Sequence, residues 1–198
     1  MFESGLDKNA RKMQRRTFLA LSATAVGGMV LGSLRTPEIV AAAVENVPGE
    51  ATIVEFSDNG KKLRKIRVPK VVKTQAEWKK LLSPNAFDIT RNADTEMAFT
   101  GKYWNLHEKG LYRCICCENA LFDSDTKFES GTGWPSFWAP IAEEDVRTDR
   151  DTGFGMVRTA VNCTLCDAHL GHVFDDGPQP TGLRYCMNSG SLKFVKRG

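Results

Sequence analysis

With 198 residues, 41% of them hydrophobic and 26% charged, the chain has the make-up of an ordinary soluble globular protein, long enough for one domain and an appendage. Its formal net charge of +3 is unevenly placed. Residues 1–43 hold six basic side chains (Lys8, Arg11, Lys12, Arg15, Arg16, Arg35) against Glu3, Asp7 and Glu38, leaving 21 of the 27 basic and 21 of the 24 acidic residues in a neutral remainder. A neutral body argues against nucleic-acid binding by phosphate neutralisation.

Residues 1–43 read as an export signal. Arg15-Arg16 followed by Thr-Phe18-Leu19 resembles the twin-arginine consensus, Phe18 to Leu34 is uncharged, and Ala41-Ala-Ala43 offers a cleavage site. At 17 residues the uncharged run sits at the bottom of the roughly 17–25 that a bilayer span needs, so the membrane is expected to be met only during export, toward a periplasm or thylakoid lumen. Residues 44–69 read as a linker and short hairpin: Thr52 to Phe56, a Ser57-Asp-Asn-Gly60 turn, then Leu63 to Val68. Whether the hairpin packs on the body is not legible. Thr74 to Leu82 predicts a helix opened by a Thr74/Glu77 capping box and ended by Ser83-Pro84. Residues 87–91 and 95–104 show no clear periodicity.

From Gly110 onward the texture becomes short apolar runs cut by Gly, Pro, Asp and Ser. Leu111–Cys114, Leu121–Phe122, Lys127–Phe128, Ser136–Trp138, Gly155–Val161, His172–Phe174 and Ser191–Val195 are strand-like, which predicts an antiparallel β domain over 70–198.

All six cysteines lie in this domain. Cys114-x-x-Cys117 and Cys163-x-x-Cys166 each bring two thiolates onto one turn, and two such turns complete a closed tetrahedral site of the kind zinc takes. A closed four-cysteine Zn2+ site, one per chain, has no open position and is expected to stabilise, not catalyse. A redox-active C-x-x-C would call for a single pair. Cys116 is the ambiguous member, able in principle to replace Cys117, although the spacing selects Cys117.

Cys186 is left over, within the chemically densest stretch, His169 to Phe194. In an extended chain alternate residues share a face, so Arg184, Cys186 and Asn188 are expected to project together. A guanidinium beside a thiol favours the nucleophilic thiolate. His169, His172 and Asp176 are expected to supply protons from the preceding loop. A buried cysteine with core histidines is the plainer alternative, and the clustering weighs against it.

Several runs resemble one family, the methionine-R-sulfoxide reductases of type B: Thr100-Gly-Lys-Tyr-Trp104, Leu111-Tyr-Arg-Cys-Ile-Cys-Cys117, Leu121-Phe122, Lys127-Phe-Glu-Ser-Gly-Thr-Gly-Trp-Pro-Ser-Phe137, Cys163-Thr-Leu-Cys-Asp-Ala-His-Leu-Gly-His-Val-Phe174, Asp176-Gly-Pro178 and Arg184-Tyr-Cys-Met-Asn-Ser189. They occur in family order over about residues 70–197. The resemblance implies a mainly β fold, a β-tent of two antiparallel sheets with short N-terminal helices and a structural zinc away from the active site. It implies that Cys186 attacks the sulfoxide sulfur and becomes a sulfenic acid, and that His169, His172, Asp176, Arg184 and Asn188 line the site. Trp134 matches the residue that contacts the substrate methyl group, and Asp176 is preferred over Asp175. The implied substrate is methionine-R-sulfoxide in oxidised proteins, with the free amino acid a further possibility.

The chain departs from the family pattern at one informative position. Thr132 stands where many members carry a resolving cysteine, so the usual intramolecular disulfide cannot form there. The knuckle that holds Cys116 is expected to lie far from Cys186, and a disulfide needs Cα atoms within about 7 Å. An external thiol reductant, thioredoxin- or glutaredoxin-like or a small thiol, is therefore the expected rescuer of Cys186. A zinc-ribbon interaction module, the rival reading, explains the four knuckle cysteines and leaves the Cys186 cluster unexplained.

Overall fold

A computed structural model describes residues 49–198; the predicted export signal falls outside them. Among the described residues no helix is long and apolar enough to cross a membrane. The described residues are mainly β, with eleven antiparallel strands, two α-helices and four single-turn 3-10 helices.

The chain opens with the hairpin of β1 (Glu50–Phe56) and β2 (Lys62–Pro69), turned at Gly60 with φ 83°. The hairpin packs on the body: Ala51 and Ile53 enter the common core, and the Val54 amide donates to Oδ1 of the fully buried Asp145 at 2.9 Å. Helix α1 (Gln75–Leu81) begins as its sequence asks, with the reciprocal Thr74/Glu77 capping box in place. Ser83-Pro84, expected only to stop that helix, also starts the next. Ser83 Oγ accepts the Ala86 amide and Pro84 fills the first turn of α2 (Pro84–Asn92), where a missing N–H costs nothing.

Two sheets form the body. One is three-stranded, ordered β11–β3–β4, from β3 (Gly110–Cys114), β4 (Ala120–Asp123) and β11 (Leu192–Lys196). The other has six strands ordered β5–β6–β10–β9–β8–β7: β5 (Lys127–Phe128), β6 (Ser136–Phe137), β7 (Val146–Asp151), β8 (Arg158–Cys163), β9 (His169–Phe174) and β10 (Arg184–Met187). Apolar side chains from both sheets meet in one core. Phe122 stacks on Phe137 with centroids 4.5 Å apart, and Tyr112 meets Phe137 edge-on at 4.9 Å. Aromatic pairs of this geometry contribute about 0.5–1.5 kcal/mol beyond the area they bury.

Candidate active site

Register on the six-stranded sheet places the reactive groups. Directly opposed residues of neighbouring antiparallel strands point to the same face. The pairings Ala160↔His172, His172↔Cys186 and Cys186↔Ser136 therefore make one cross-strand row, with the thiol between an imidazole and a hydroxyl. Two positions along each strand, Arg184 opposes Phe174 on that face, and its guanidinium lies 4.4 Å from the phenyl centroid.

A regular strand would send His169 and His172, three residues apart, to opposite faces. The structure avoids this with a bulge. Val161 pairs with Gly171 but Asn162 pairs with His169, so Leu170 is the extra residue and His169 returns to the side of His172. The two rings meet edge to face with centroids 5.3 Å apart. Gly171 serves the same device, since a Cβ there would collide with the Cys186 carbonyl.

The Ser130–Ser136 segment approaches from the edge. Thr132 Oγ1 lies 3.9 Å from Cys186 Sγ and 2.8 Å from Ser130 Oγ, which in turn is 2.7 Å from Ser136 Oγ. The position named in the sequence as that of a missing resolving cysteine is thus beside the thiol. Trp134 is oriented by its Nε1–H, which donates to the Glu96 carbonyl at 3.0 Å.

Three expectations need correction. Asp176 does not offer a proton: both its oxygens accept from Arg184 (Nε and Nη2, each 2.8 Å), and that pairing holds its carboxyl below the usual range. Its part is to aim the guanidinium. Asn188, still extended one residue past β10, spends its side chain on the backbone and makes no hydrogen bond to Cys186 among the described residues. The Asn188 amide is buried between the Glu96 N–H (3.0 Å) and the Leu170 carbonyl (3.1 Å), bracing the bulge from behind. The resting thiol and imidazoles are also pushed toward their neutral forms, where a thiolate and proton-supplying histidines were expected. Burial pushes the Cys186 thiol up, outweighing the opposing pull of Thr132, Arg184 and Ser136. Burial, with His172 adding to it, takes His169 down to about 4, and burial also lowers His172 despite its carboxylate partner.

That partner, Asp151, was missed from sequence, as were Arg158 and Glu96. Asp151 Oδ2 is 2.7 Å from His172 Nε2 and 2.7 Å from Arg158 Nη2. Glu96, buried, accepts the Ser189 and Gly190 amides at 2.6 and 2.9 Å, tying the loop that orients Trp134 to the turn behind Cys186. Of the three, only Arg158 lay within a strand-like run, Gly155–Val161, and nothing in spacing connects it or Asp151 to position 172.

The metal-ligand expectation meets a compact cluster. The sulfurs of Cys114, Cys117, Cys163 and Cys166 all lie within 4.8 Å of one another, with Cys114–Cys166 and Cys117–Cys163 at 3.6 Å. A tetrahedron with metal–sulfur bonds of about 2.3 Å has edges of about 3.8 Å, so these residues can hold a metal ion. The two knuckles are built alike. The Glu118 and Asp167 amides donate to the Cys114 and Cys163 carbonyls, and both residues adopt left-handed conformations (φ 63° and 56°). Cys116 is half-buried in the first knuckle, between β3 and β4, whereas Cys186 belongs to the other sheet.

Residues 82–196 match the family described as SelR domain. Among curated proteins, the chain is 55% identical over 125 residues to "Peptide methionine sulfoxide reductase MsrB" of Herminiimonas arsenicoxydans, covering 63% of this chain and 91% of that protein. It is 58% identical over 121 residues to the protein of the same name from Synechococcus sp. (61% and 89% covered), and 54% over 126 residues to that of Agrobacterium fabrum (64% and 93%).

Proposed function

The chain belongs to the SelR-domain family, in which its relatives at 53–58% identity are peptide methionine sulfoxide reductases, and from that premise we propose that it reduces the R epimer of methionine sulfoxide in oxidised proteins through a sulfenic acid on Cys186. The observation that carries the reading is the row Ser136–Cys186–His172, with His169 brought alongside by the bulge.

In this reading Cys186 loses its proton to the histidine pair as substrate enters, and the sulfur attacks the sulfoxide sulfur. The sulfoxide oxygen is a poor leaving group until protonated. His169 Nε2 is buried without a hydrogen-bond partner, which suits it to hold that oxygen. Arg184, fixed by Asp176, favours the transient thiolate. Oxygen passes to Cys186, giving thioether and Cys–SOH, a reversible rung of the oxidation ladder. Trp134 supplies the apolar wall for the methyl group. Two equivalents of an external thiol then return Cys–SOH to Cys–SH, releasing water and a disulfide. Thr132 beside the sulfur has no thiol to offer. Zinc, held by Cys114, Cys117, Cys163 and Cys166, would bind as a structural ion, joining the β3–β4 turn to the β8–β9 turn. Export by the twin-arginine route, which carries folded proteins, would let the thiolates load metal before an oxidising compartment is reached.

The deciding assay is turnover of R- and S-methionine sulfoxide, peptide-bound and free, with dithiothreitol, on the full chain and on Cys186→Ser. Absence of R-epimer turnover, or its survival in Cys186→Ser, rejects the reading. Mass spectrometry after one equivalent of substrate tests the reductant: a Cys116–Cys186 disulfide would replace the external thiol.

A further inference from the structure

The β7–β8 hairpin reaches back over the sheet to the catalytic row. Asp151, the last residue of β7, opposes Arg158 across the hairpin, so both share the face of Ala160 and His172. Asp149 and Ala160 lie in the row of His172, and the small Ala160 leaves a gap through which Asp151 reaches the imidazole two strands away. A larger side chain at 160 would close that gap.

All the acceptor capacity of Asp151 that faces the protein is engaged. Oδ1 accepts the Gly153 amide at 2.8 Å, while Oδ2 accepts Arg158 Nη2 and His172 Nε2, both at 2.7 Å. The Gly153 amide, then His172, hold this carboxyl at about 2. An ionised carboxylate has no proton to give, so the hydrogen in the bond to the ring must sit on Nε2. With Nε2 committed, the neutral ring has Nδ1 as its only acceptor. Arg158 takes up much of the carboxylate's charge, which lets Asp151 orient the ring without holding a second proton on it.

We infer that Asp151 is a positioning residue for the reaction: anchored by Arg158 and the Gly153 amide, it fixes His172 in the Nε2–H tautomer and so makes Nδ1 the atom that takes the Cys186 proton. This rests on the reading of Cys186 as nucleophile. It also assigns the paired histidines different tasks, His172 oriented and accepting, His169 unpartnered and free to meet the substrate oxygen. A base oriented by a third group is a general way to activate a nucleophile, and a wrong tautomer leaves the geometry intact while removing the function.

The test uses the full chain labelled with 15N-histidine. It has only three histidines, His107, His169 and His172, assignable with His107→Gln and His172→Gln. In the native chain at neutral pH, His172 should show a protonated Nε2 and an unprotonated Nδ1. In Asp151→Ala the two nitrogens should move toward averaged shifts, and kcat should fall on the order of 10²-fold, within the usual range for acid–base assistance, with KM nearly constant. Asp151→Asn keeps the shape but turns one acceptor into a donor facing a donor, so it should give the same fall and decides the matter if the alanine variant does not fold. An unchanged His172 tautomer, undiminished kcat, or a loss confined to KM would overturn the inference. Should Cys186→Ser remain active, the nucleophile assignment fails separately, while the nitrogen spectra still judge the Asp151–His172 couple.

Discussion

Burial of His169 has a consequence for stability that can be worked out with its sign. In the folded chain its pKa is about 4, against an ordinary 6.5, because burial penalises the imidazolium and His172 adds to that penalty. The folded state therefore refuses a proton that the unfolded chain binds. Above pH 6.5 neither state is protonated and His169 has no effect. As pH falls from 6.5 toward 4 the unfolded state gains protons, and stability is lost. With 1.36 kcal/mol for each unit of pKa difference, the loss between pH 7 and pH 5 is about 2 kcal/mol. The carboxyls held low by partners (Asp151, Asp176, Asp125, Glu77, Glu144) lose their contribution only nearer pH 4 and below. Asp145, whose carboxyl burial raises to about 7, takes up a proton over the same window with the opposite sign, so the histidine effect is read from the comparison of two chains that both keep Asp145. Urea unfolding of the native chain and of His169→Gln at pH 7 and pH 5 reads the effect: the variant should lose about 2 kcal/mol less than the native chain over that interval. The difference between the two chains removes whatever the four-cysteine cluster contributes. Equal losses in both would refute the argument that His169 is held neutral.

Asp145→Ala should destabilise the chain by about 1–3 kcal/mol in chemical denaturation, because the Val54 amide would lose its buried partner; Asp145→Asn should recover most of it. Thr132→Cys puts a thiol where an oxygen now lies 3.9 Å from Cys186 Sγ, so one equivalent of methionine sulfoxide should consume two thiols per chain in the variant and one in the native protein, by thiol titration. Arg184→Gln should slow iodoacetamide alkylation of Cys186 at pH 8 several-fold, since losing the guanidinium raises a thiol pKa already pushed above its ordinary value by burial. Removing metal with a strong chelator should release about one zinc per chain and lower the thermal midpoint, and Cys114→Ser should reproduce the lower midpoint without chelator.

Much of this architecture could be read before the structure because its signals are local. The Thr74/Glu77 box, the Asn59-Gly60 turn and the paired C-x-x-C knuckles each specify geometry within a few residues. The strand-like runs from Gly110 onward also carry their alternation in the sequence. Helix α2 escaped because Ser-Pro serves both to end one helix and to begin another. Strand β7 escaped because an edge strand of sequence Val-Arg-Thr-Asp-Arg-Asp has too little apolar alternation to stand out. At the site, Cys186, His172 and Arg184 were legible from spacing and resemblance. Asp151, Arg158 and Glu96 were not, since their relation to the site arises from pairing between strands remote in sequence. The charge state escaped for another reason. Arg184 next to a thiol suggests a thiolate, and only the extent of burial shows that desolvation wins.

The single extra residue in β9 gives the site a threshold. A pleated strand has two faces and no intermediate setting, so His169 is either alongside His172 or on the far side of the sheet. The cysteine turn ending at Cys166 pins the strand just before the bulge, and pairing with β10 pins it just after. Damage to either end would not weaken the histidine pair by degrees. It would break the pair up in one step while every side chain of the candidate site stayed chemically intact. Partial metal loss in a population should therefore appear as a mixture of fully competent and incompetent molecules, a loss of active fraction with the surviving rate constant unchanged.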